Sequence, residues 1–326
     1  MKILVTGGSG FIGTRLVSEL LDKGHEPLIF DKAPSKMHAD RVALGDVRDL
    51  DALSDAVKGH GVVYHLAAEH RDDVRPLSLY EEVNVGGARN LVRACVSCGC
   101  KRIVFTSSVA VYPLSAGNPS EDTPAQPFND YGRSKLRAED VFKEFALGDE
   151  TVDLTIVRPC VVFGESNRGN VYNLLKQISS GRFLMVGDGS NKKSMAYVGN
   201  VVSFLIKCLE FGPGLRCYNY ADKPDMSTRE IVRTVRTYFG QGGFMSKMRV
   251  PYGMGIVLGY TADVLARILG RPLPVSGIRV KKFCADTTVS TERLEKTGFV
   301  RPYSLEDALI RTIKSEFGRE TIAGRP

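Results

Sequence analysis

The first half of the chain alternates short apolar runs with segments whose apolar residues recur every three to four positions. Lys2–Thr6 is an apolar run that ends at glycines, and Phe11–Lys23 follows with Ile12, Leu16, Leu20 and Leu21 on one helical side. Glu26–Asp31 and His60–Ala67 read as strands, and Val83–Cys98 as a helix with Val85, Leu91, Val92 and Cys95 at helical spacing. Arg102–Ser107 reads as a strand, Tyr131–Phe145 as a helix and Asp153–Arg158 as a strand. Strands alternating with helices predict a parallel sheet covered on both faces, a doubly wound α/β fold of the Rossmann type. The second half is less regular. Val171–Ser180, Val198–Glu210, Thr228–Phe239 and Leu305–Phe317 have helical spacing, and Cys217–Tyr220 is a short strand placed to rejoin the first sheet. The pattern predicts a first domain over residues 1–165, rejoined by about 195–221, and a smaller α/β domain over 166–326.

Composition narrows the class. With 43% hydrophobic and 25% charged residues in 326, the chain is neither disordered nor collagen-like. No apolar run of about 18 residues lacks a charge, so membrane insertion is not expected. MKILVTGG does not read as a signal peptide, and the seven cysteines form no regular framework, so reduced thiols and a cytoplasmic location are expected. Cys95, Cys98 and Cys100 have no histidine or cysteine cluster near them to complete four ligands; they read as packing residues, and no metal is expected. The net charge of +7 is uneven, −5 over residues 1–165 and +12 over 166–326. That asymmetry points the second half toward an anion. Its basic residues are not interleaved with aromatics, so nucleic acid is not the expected partner. Gly253–Gly270, apolar but broken by Asp263 and Arg267, reads as a pocket wall or subunit contact, with a helix touching a membrane as the alternative.

The glycines carry the first chemical signal. Residues 6–13 read TGGSGFIG, so that Gly7, Gly10 and Gly13, or Gly8, Gly10 and Gly13, fit a dinucleotide fingerprint between a strand and a helix. Such a turn is tight, lets the backbone approach a pyrophosphate, and aims the N–H groups of the helix start at it. Asp31 ends the next strand, where a carboxylate accepts the ribose hydroxyls and repels a 2′-phosphate, which favours NAD over NADP; Lys32 beside it offsets part of that preference. Asp46 and Val47, after Gly45, are placed to reach the adenine ring, although an aspartate here also suits a turn.

The second signal is Tyr131-Gly132-Arg133-Ser134-Lys135. Tyr131 and Lys135 share a helix face at i, i+4, so an ammonium can lower the phenol pKa enough for proton exchange with an alcohol at neutral pH. A hydroxyl from Thr106-Ser107-Ser108, at the end of a strand, would hold the substrate oxygen.

Together these residues resemble the extended short-chain dehydrogenase/reductase superfamily, in its NAD-dependent nucleotide-sugar epimerase/dehydratase branch. The likeness runs in order through TGGSGFIG (6–13), Asp31, GDVRD (45–49), HLAA (65–68), NVGG (84–87), TSSVAVY (106–112), YGRSK (131–135) and RPCVVFG (158–164). It implies that Tyr131 is the acid/base, that Lys135 activates it and contacts the cofactor ribose, and that Ser108 holds the substrate oxygen. The implied NAD contacts are Gly7, Gly10, Phe11, Ile12, Gly13, Asp31, Lys32, Asp46, Val47, Leu66, Ala67, Ala68, Asn84, Ser107, Tyr131, Lys135 and Pro159. Members commonly pair through helices, which implies a homodimer with Tyr131–Phe145 as one candidate contact.

The same resemblance frames the substrate. GDGSNKKSMAYVGNVV (187–202) is similar to a segment in which many members use an arginine on a sugar-nucleotide diphosphate; Lys193 stands there, with Lys192 beside it, and Gly199 and Asn200 replace the acids that usually follow. Phe283-Cys284-Ala285-Asp286 is similar to the strand that closes the sugar pocket in epimerases, preceded here by Ser276-Gly277-Ile278-Arg279. The substrate contacts implied are Ser108, Tyr131, Lys193 and Arg279. Val109 and Ala110 stand where the related dehydratases carry their Asp-Glu pair, which argues against dehydration. A 4-epimerase of UDP-hexose or UDP-N-acetylhexosamine is the leading expectation. An NAD(P)H-dependent 4-keto-6-deoxy sugar reductase stands next, and a non-catalytic nucleotide- or RNA-binding scaffold after it.

Overall fold

The computed structural model describes residues 1–71, 74–241, 249–269 and 277–318; of residues 264–269, 278, 279 and 282 it describes the backbone alone. Contacts divide the chain into one unit of Met1–Val162, Ala196–Ala221 and Val289–Pro302 and another of Phe163–Met195, Asp222–Thr288 and Tyr303–Pro326.

In the first unit the chain runs β1 (Lys2–Thr6), α1 (Phe11–Asp22), β2 (Glu26–Asp31), β3 (Val42–Leu44), α2 (Leu50–Val57), β4 (Val62–His65), α3 (Gly87–Cys98), β5 (Arg102–Thr106), α4 (Asp130–Leu147) and β6 (Asp153–Pro159). After β7 (Val161–Phe163), α5 (Asn170–Ser179), β8 (Met185–Val186) and β9 (Lys192–Tyr197), it returns through α6 (Val198–Lys207) and β10 (Gly214–Tyr220). Seven parallel strands stand in the order β10-β6-β5-β4-β1-β2-β3. The strand order reverses between β1 and β4, and open α/β sheets bind ligands at such a switch point. All seven residues of β6 are buried, as expected of an inner parallel strand with helices on both faces. Leu53 of α2, Leu91 of α3 and Phe142 of α4 join Leu4, Phe30, Ile103, Phe105 and Leu154 in one core. Cys95 and Cys100 are buried in that same core, and among the described residues no group of side chains could hold a metal.

Residues 214–220 pair with β6 along its whole length, Gly214 opposite Asp153 and Tyr220 opposite Pro159. The strand is longer than the Cys217–Tyr220 run read from apolar pattern, because Gly214 and Arg216 belong to it. Arg216 is paired there: its guanidinium meets Asp153 of β6 at 3.2 Å, and Arg102 of β5 meets the same carboxylate at 2.7 Å. Two other expected elements also differ. The strand over His60–Ala67 spans only Val62–His65, since Leu66–Ala68 turn beneath the glycine loop. The helix over Val83–Cys98 begins as α3 at Gly87, preceded by a wider π turn over Tyr80–Gly86. Residues 289–302 lie in the first unit, whereas the sequence pattern assigns them to the second domain.

The second unit holds α5, β8, β11 (Asp222–Ser227), α7 (Thr228–Tyr238), β12 (Arg249–Val250), α8 (Tyr252–Leu269) and α9 (Gly277–Cys284). α10 (Glu292–Glu295) belongs to the first unit and α11 (Leu305–Phe317) to the second. β11 runs antiparallel to β9 with Asp222 opposite Met195, and β12 runs parallel to β8. A capping box, Ser227 with Glu230, starts α7.

Candidate active site

The glycine loop is built for close approach. Gly7 has φ +72°, and a Cβ on it would stand 2.6 Å from the amide nitrogen of Ala67. Leu66–Ala68 therefore pack directly under the loop, and the Leu66 amide donates to the Thr6 carbonyl at 3.0 Å. Gly10 is the N-cap of α1, with no side-chain cap and no acid in the first turn, so the amides of Phe11, Ile12 and Gly13 have no intrahelical acceptor. An uncapped helix start behind glycine is a ready receptor for phosphate. Asp31 lies across the loop: its carboxylate accepts from the Ser9 amide at 3.0 Å and from the Ala33 amide at 3.0 Å. The backbone thus fixes this carboxylate, with lone pairs left for two hydroxyls. Lys32 is exposed beside it. These residues fit a dinucleotide with a free 2′-hydroxyl.

Several expected cofactor contacts have their side chains engaged in the protein. Asp46 accepts from Arg48 Nε at 3.1 Å and from Nη2 at 2.7 Å, and the Arg48 guanidinium holds its carboxyl below the usual range. Val47 is buried against Gly87. Asn84 accepts from the Glu69 amide at 2.8 Å and donates to the Glu69 carbonyl at 3.0 Å and to Ser134 Oγ at 2.8 Å. Ser107 donates to Glu139 at 2.6 Å. Pro159 closes β6 and is buried.

One contact brings Ser108 and Tyr131 to the same place. The side chain of Ser108 accepts from the Ala110 amide at 3.1 Å and so caps the short 3₁₀ turn Val109–Val111. The first turn of α4, capped by Asn129 on the Gly132 amide at 2.8 Å, packs on that turn. A Cβ on Gly132 would fall 2.2 Å from the Ala110 carbonyl oxygen, so only glycine permits this approach. Tyr131 and Ser108 are each half-buried. Ser134 ties the turn back, donating to the Tyr131 carbonyl at 2.8 Å.

Lys135, one turn on, is buried, with Nζ 4.2 Å from the centroid of the Phe105 ring. Burial pulls it down to about 7, and the Glu139 carboxylate opposes that fall. His65 stacks on Phe105 with centroids 5.6 Å apart, and its Nδ1 is 2.8 Å from Thr6 Oγ1. Burial, with the Lys135 charge second, lowers His65 to about 3, so this ring is neutral at physiological pH.

Sequence reasoning missed the ion pair behind these groups. Burial raises the Glu139 carboxyl, but Arg158 at 2.8 and 2.5 Å, with Lys143 and Ser107, outweighs it and leaves it lowered. Arg158 also donates to Tyr112 Oη at 2.7 Å, and that hydroxyl donates to Asn219 of β10 at 2.9 Å. Spacing places Glu139 on the helix face of Tyr131, Lys135 and Lys143, at i+4 throughout, but carries no sign of Arg158.

The family described as NAD dependent epimerase/dehydratase matches residues 3–221. The chain belongs to that family. This epimerase-family chain is 48% identical over 319 residues to N-acetyl-α-D-glucosaminyl-diphospho-ditrans,octacis-undecaprenol 4-epimerase of Escherichia coli O157:H7, covering 97% of the chain and 95% of the relative. It is 34% identical to UDP-glucose 4-epimerase of Vibrio cholerae over 71% of the chain and 74% of that protein. Its fold matches MoeE5 in complex with UDP-glucuronic acid and NAD at a TM-score of 0.75 and 26% identity, over 97% of one chain and 98% of the other. The epimerase is thus an NAD-dependent enzyme of the extended short-chain dehydrogenase/reductase type, and with these relatives the 4-epimerase reading holds.

In the second unit of the epimerase, the two segments singled out for substrate are brought together. Asn191 donates to the Phe283 carbonyl at 2.9 Å, the Lys192 amide to Asp286 at 2.6 Å, and Lys193 Nζ to the Ala285 carbonyl at 2.6 Å. Burial lowers Lys193, against the pull of Asp286. Arg279 lies outside the residues with described side chains. His70 is exposed.

Proposed function

We propose that the chain inverts carbon 4 of an N-acetylhexosamine carried on a diphosphate, with a polyprenyl chain rather than a nucleoside beyond the diphosphate. The observation that carries this reading is the 48% identity to the lipid-linked 4-epimerase over 97% of the chain. The identity to the UDP-glucose enzyme is lower and covers 71% of the chain.

In this reading Tyr131 removes the proton from the C4 hydroxyl and later returns one to the same oxygen. Lys135, as ammonium one helical turn away, stabilises the phenolate. Ser108 keeps its hydroxyl proton free while accepting from Ala110, and donates it to the C4 oxygen. The uncapped start of α1 and the Asp31 carboxylate hold the cofactor, together with the Leu66–Ala68 turn. NAD, when bound, supplies the hydride acceptor and donor. The first unit also donates Asn84 and Glu139, which hold the surrounding loops and helix in place. A homodimer and a cytoplasmic location belong to the same reading.

Proton NMR tests it, with purified enzyme, no added nicotinamide, and two substrates: polyprenyl-diphospho-N-acetylglucosamine in detergent and UDP-N-acetylglucosamine. The expected result is the C4 epimer growing in from the lipid-linked sugar, with Y131F slower by about 10²–10⁴-fold. Turnover of the UDP sugar alone would overturn the lipid-linked assignment, and reaction only after NAD(P)H and a 4-keto sugar are supplied would overturn epimerisation.

A further inference from the structure

α8 packs its small residues inward and carries its large apolar ones outward. Its buried positions include Gly255 and Gly259, one turn apart. A Cβ on Gly255 would come within 2.4 Å of Val186 Cγ1, so this side lies flat on β8. The opposite side carries Met254, Val257 and Leu258, which are 55–64% exposed, with Tyr252 and Tyr260 at its flanks and Tyr260 against Gly277 of α9. Large apolar side chains gathered on one exposed helix face mark a contact surface. Among the described residues, no helix is long and apolar enough to cross a membrane.

A basic cavity adjoins this helix within the same unit. Arg249, three residues before α8, lines a cavity of about 560 Å³ together with Met185 and with Arg229, Arg233 and Arg236 of α7. The three α7 arginines recur at i, i+4 and i+7, on one face. The lining contains no acidic residue. Arg249 pairs with Met185, the neighbour of the Val186 on which Gly255 rests, so β8 joins the cavity to the apolar helix. Arg229 is braced on the Asp188 carbonyl at 2.7 Å and Arg236 on the Phe183 carbonyl at 3.1 Å. Glu230 feels the charge of Arg233, but its carboxylate is engaged by the Ser227 amide at 2.7 Å. Among the described residues, the guanidinium groups of Arg233 and Arg249 have no hydrogen-bond partner.

We propose that this face adsorbs the enzyme to an anionic phospholipid surface, with the arginines on lipid phosphates and the apolar side of α8 in the headgroup layer. Stable peripheral binding takes two signals, and an apolar face beside a basic cluster supplies both. Charge agrees, since the second unit carries a net +9 and the first −2. A second copy is the poorer occupant, because a two-fold contact would set one arginine cavity beside another. The inference goes beyond the substrate reading and stands apart from it, for its readout is partition of the protein and not turnover.

Flotation of the full chain with vesicles tests it, using phosphatidylglycerol mixed with phosphatidylcholine in one arm and phosphatidylcholine alone in the other. The enzyme is expected to float with the anionic vesicles only, and less so at high salt. R233Q/R249Q should lower the partition coefficient on the order of tenfold or more, and V257D/L258D should abolish flotation. Circular dichroism and NAD binding keep a folding defect in either variant apart from a binding one. Wild type that stays down with both vesicles, or variants that float equally well, overturn the proposal. So does light scattering that shows a dimer split by V257D/L258D, which would give the face to a second copy.

Discussion

Lys135 is a buried cation set over the aromatic face of Phe105, and the Glu139 carboxylate one turn away favours its charged form. Its folded value of about 7 lies below the ordinary 10.5, so the unfolded chain binds the extra proton between those limits. Lys135 therefore weakens the fold most at and below about pH 7, and the penalty fades as pH rises from 7 toward 10.5. Lys135→Met should abolish turnover yet raise the melting temperature at pH 6, where the gain in unfolding free energy is on the order of a few kcal/mol, and change it little at pH 10. Thermal unfolding at the two pH values measures this; equal melting temperatures at pH 6 would show that burial of the ammonium is not destabilising. A phenol beside such a group has a partner whose charge responds to anything that changes solvent access at the site.

At the scale of elements, the site depends on how tightly α4 lies on the turn after Ser108. Gly132→Ala places a methyl where the Ala110 carbonyl stands, and overpacking against backbone costs about 1–3 kcal/mol. If α4 shifts to relieve it, kcat should fall at least tenfold while NAD affinity, read by fluorescence titration, stays near wild type. An unchanged kcat would mean that Ser108 and Tyr131 do not need this contact. The same helix is tied to β6 by Glu139 and Arg158, both buried. Glu139→Leu alone should destabilise by about 3–5 kcal/mol, because it leaves Arg158 uncompensated, and E139L/R158L should recover part of that loss. Denaturant midpoints of the two variants test the ordering.

What the sequence made legible at this scale follows from local chemistry. β1, α1 and β2 are punctuated by glycine and by Asp31, and their periods are clean. β9 begins Lys192-Lys193-Ser194, polar residues that show no alternation, and its partners at Thr287 and on β11 lie far along the chain. The π turn over Tyr80–Gly86 has almost the apolar spacing of the helix it precedes, so pattern alone merges the two. Tyr131 and Lys135 are legible as a helical motif, whereas the role of Gly132 lies in its contact with the Ala110 carbonyl, which is 22 residues away in the chain. Glu139 and Arg158 were unreadable as a pair, because nothing in a helix face or a buried strand announces which distant charge will meet it.

For the molecule as a whole, the charge asymmetry visible along the chain follows the two units, −2 and +9. The pieces of the first unit are scattered, since it takes in 196–221 and 289–302 as well as 1–162. The seventh strand has a consequence for synthesis. Until Gly214–Tyr220 leaves the ribosome, β6 has no partner on one edge, although each of its residues will have one. At 5–20 residues per second the interval from Pro159 to Gly214 lasts roughly 3–10 s, during which a nascent sheet exposes apolar side chains and unpaired backbone. Newly made chains are thus most open to self-association, and most in need of a chaperone, while the chain that will form α5, β9 and α6 is still being made.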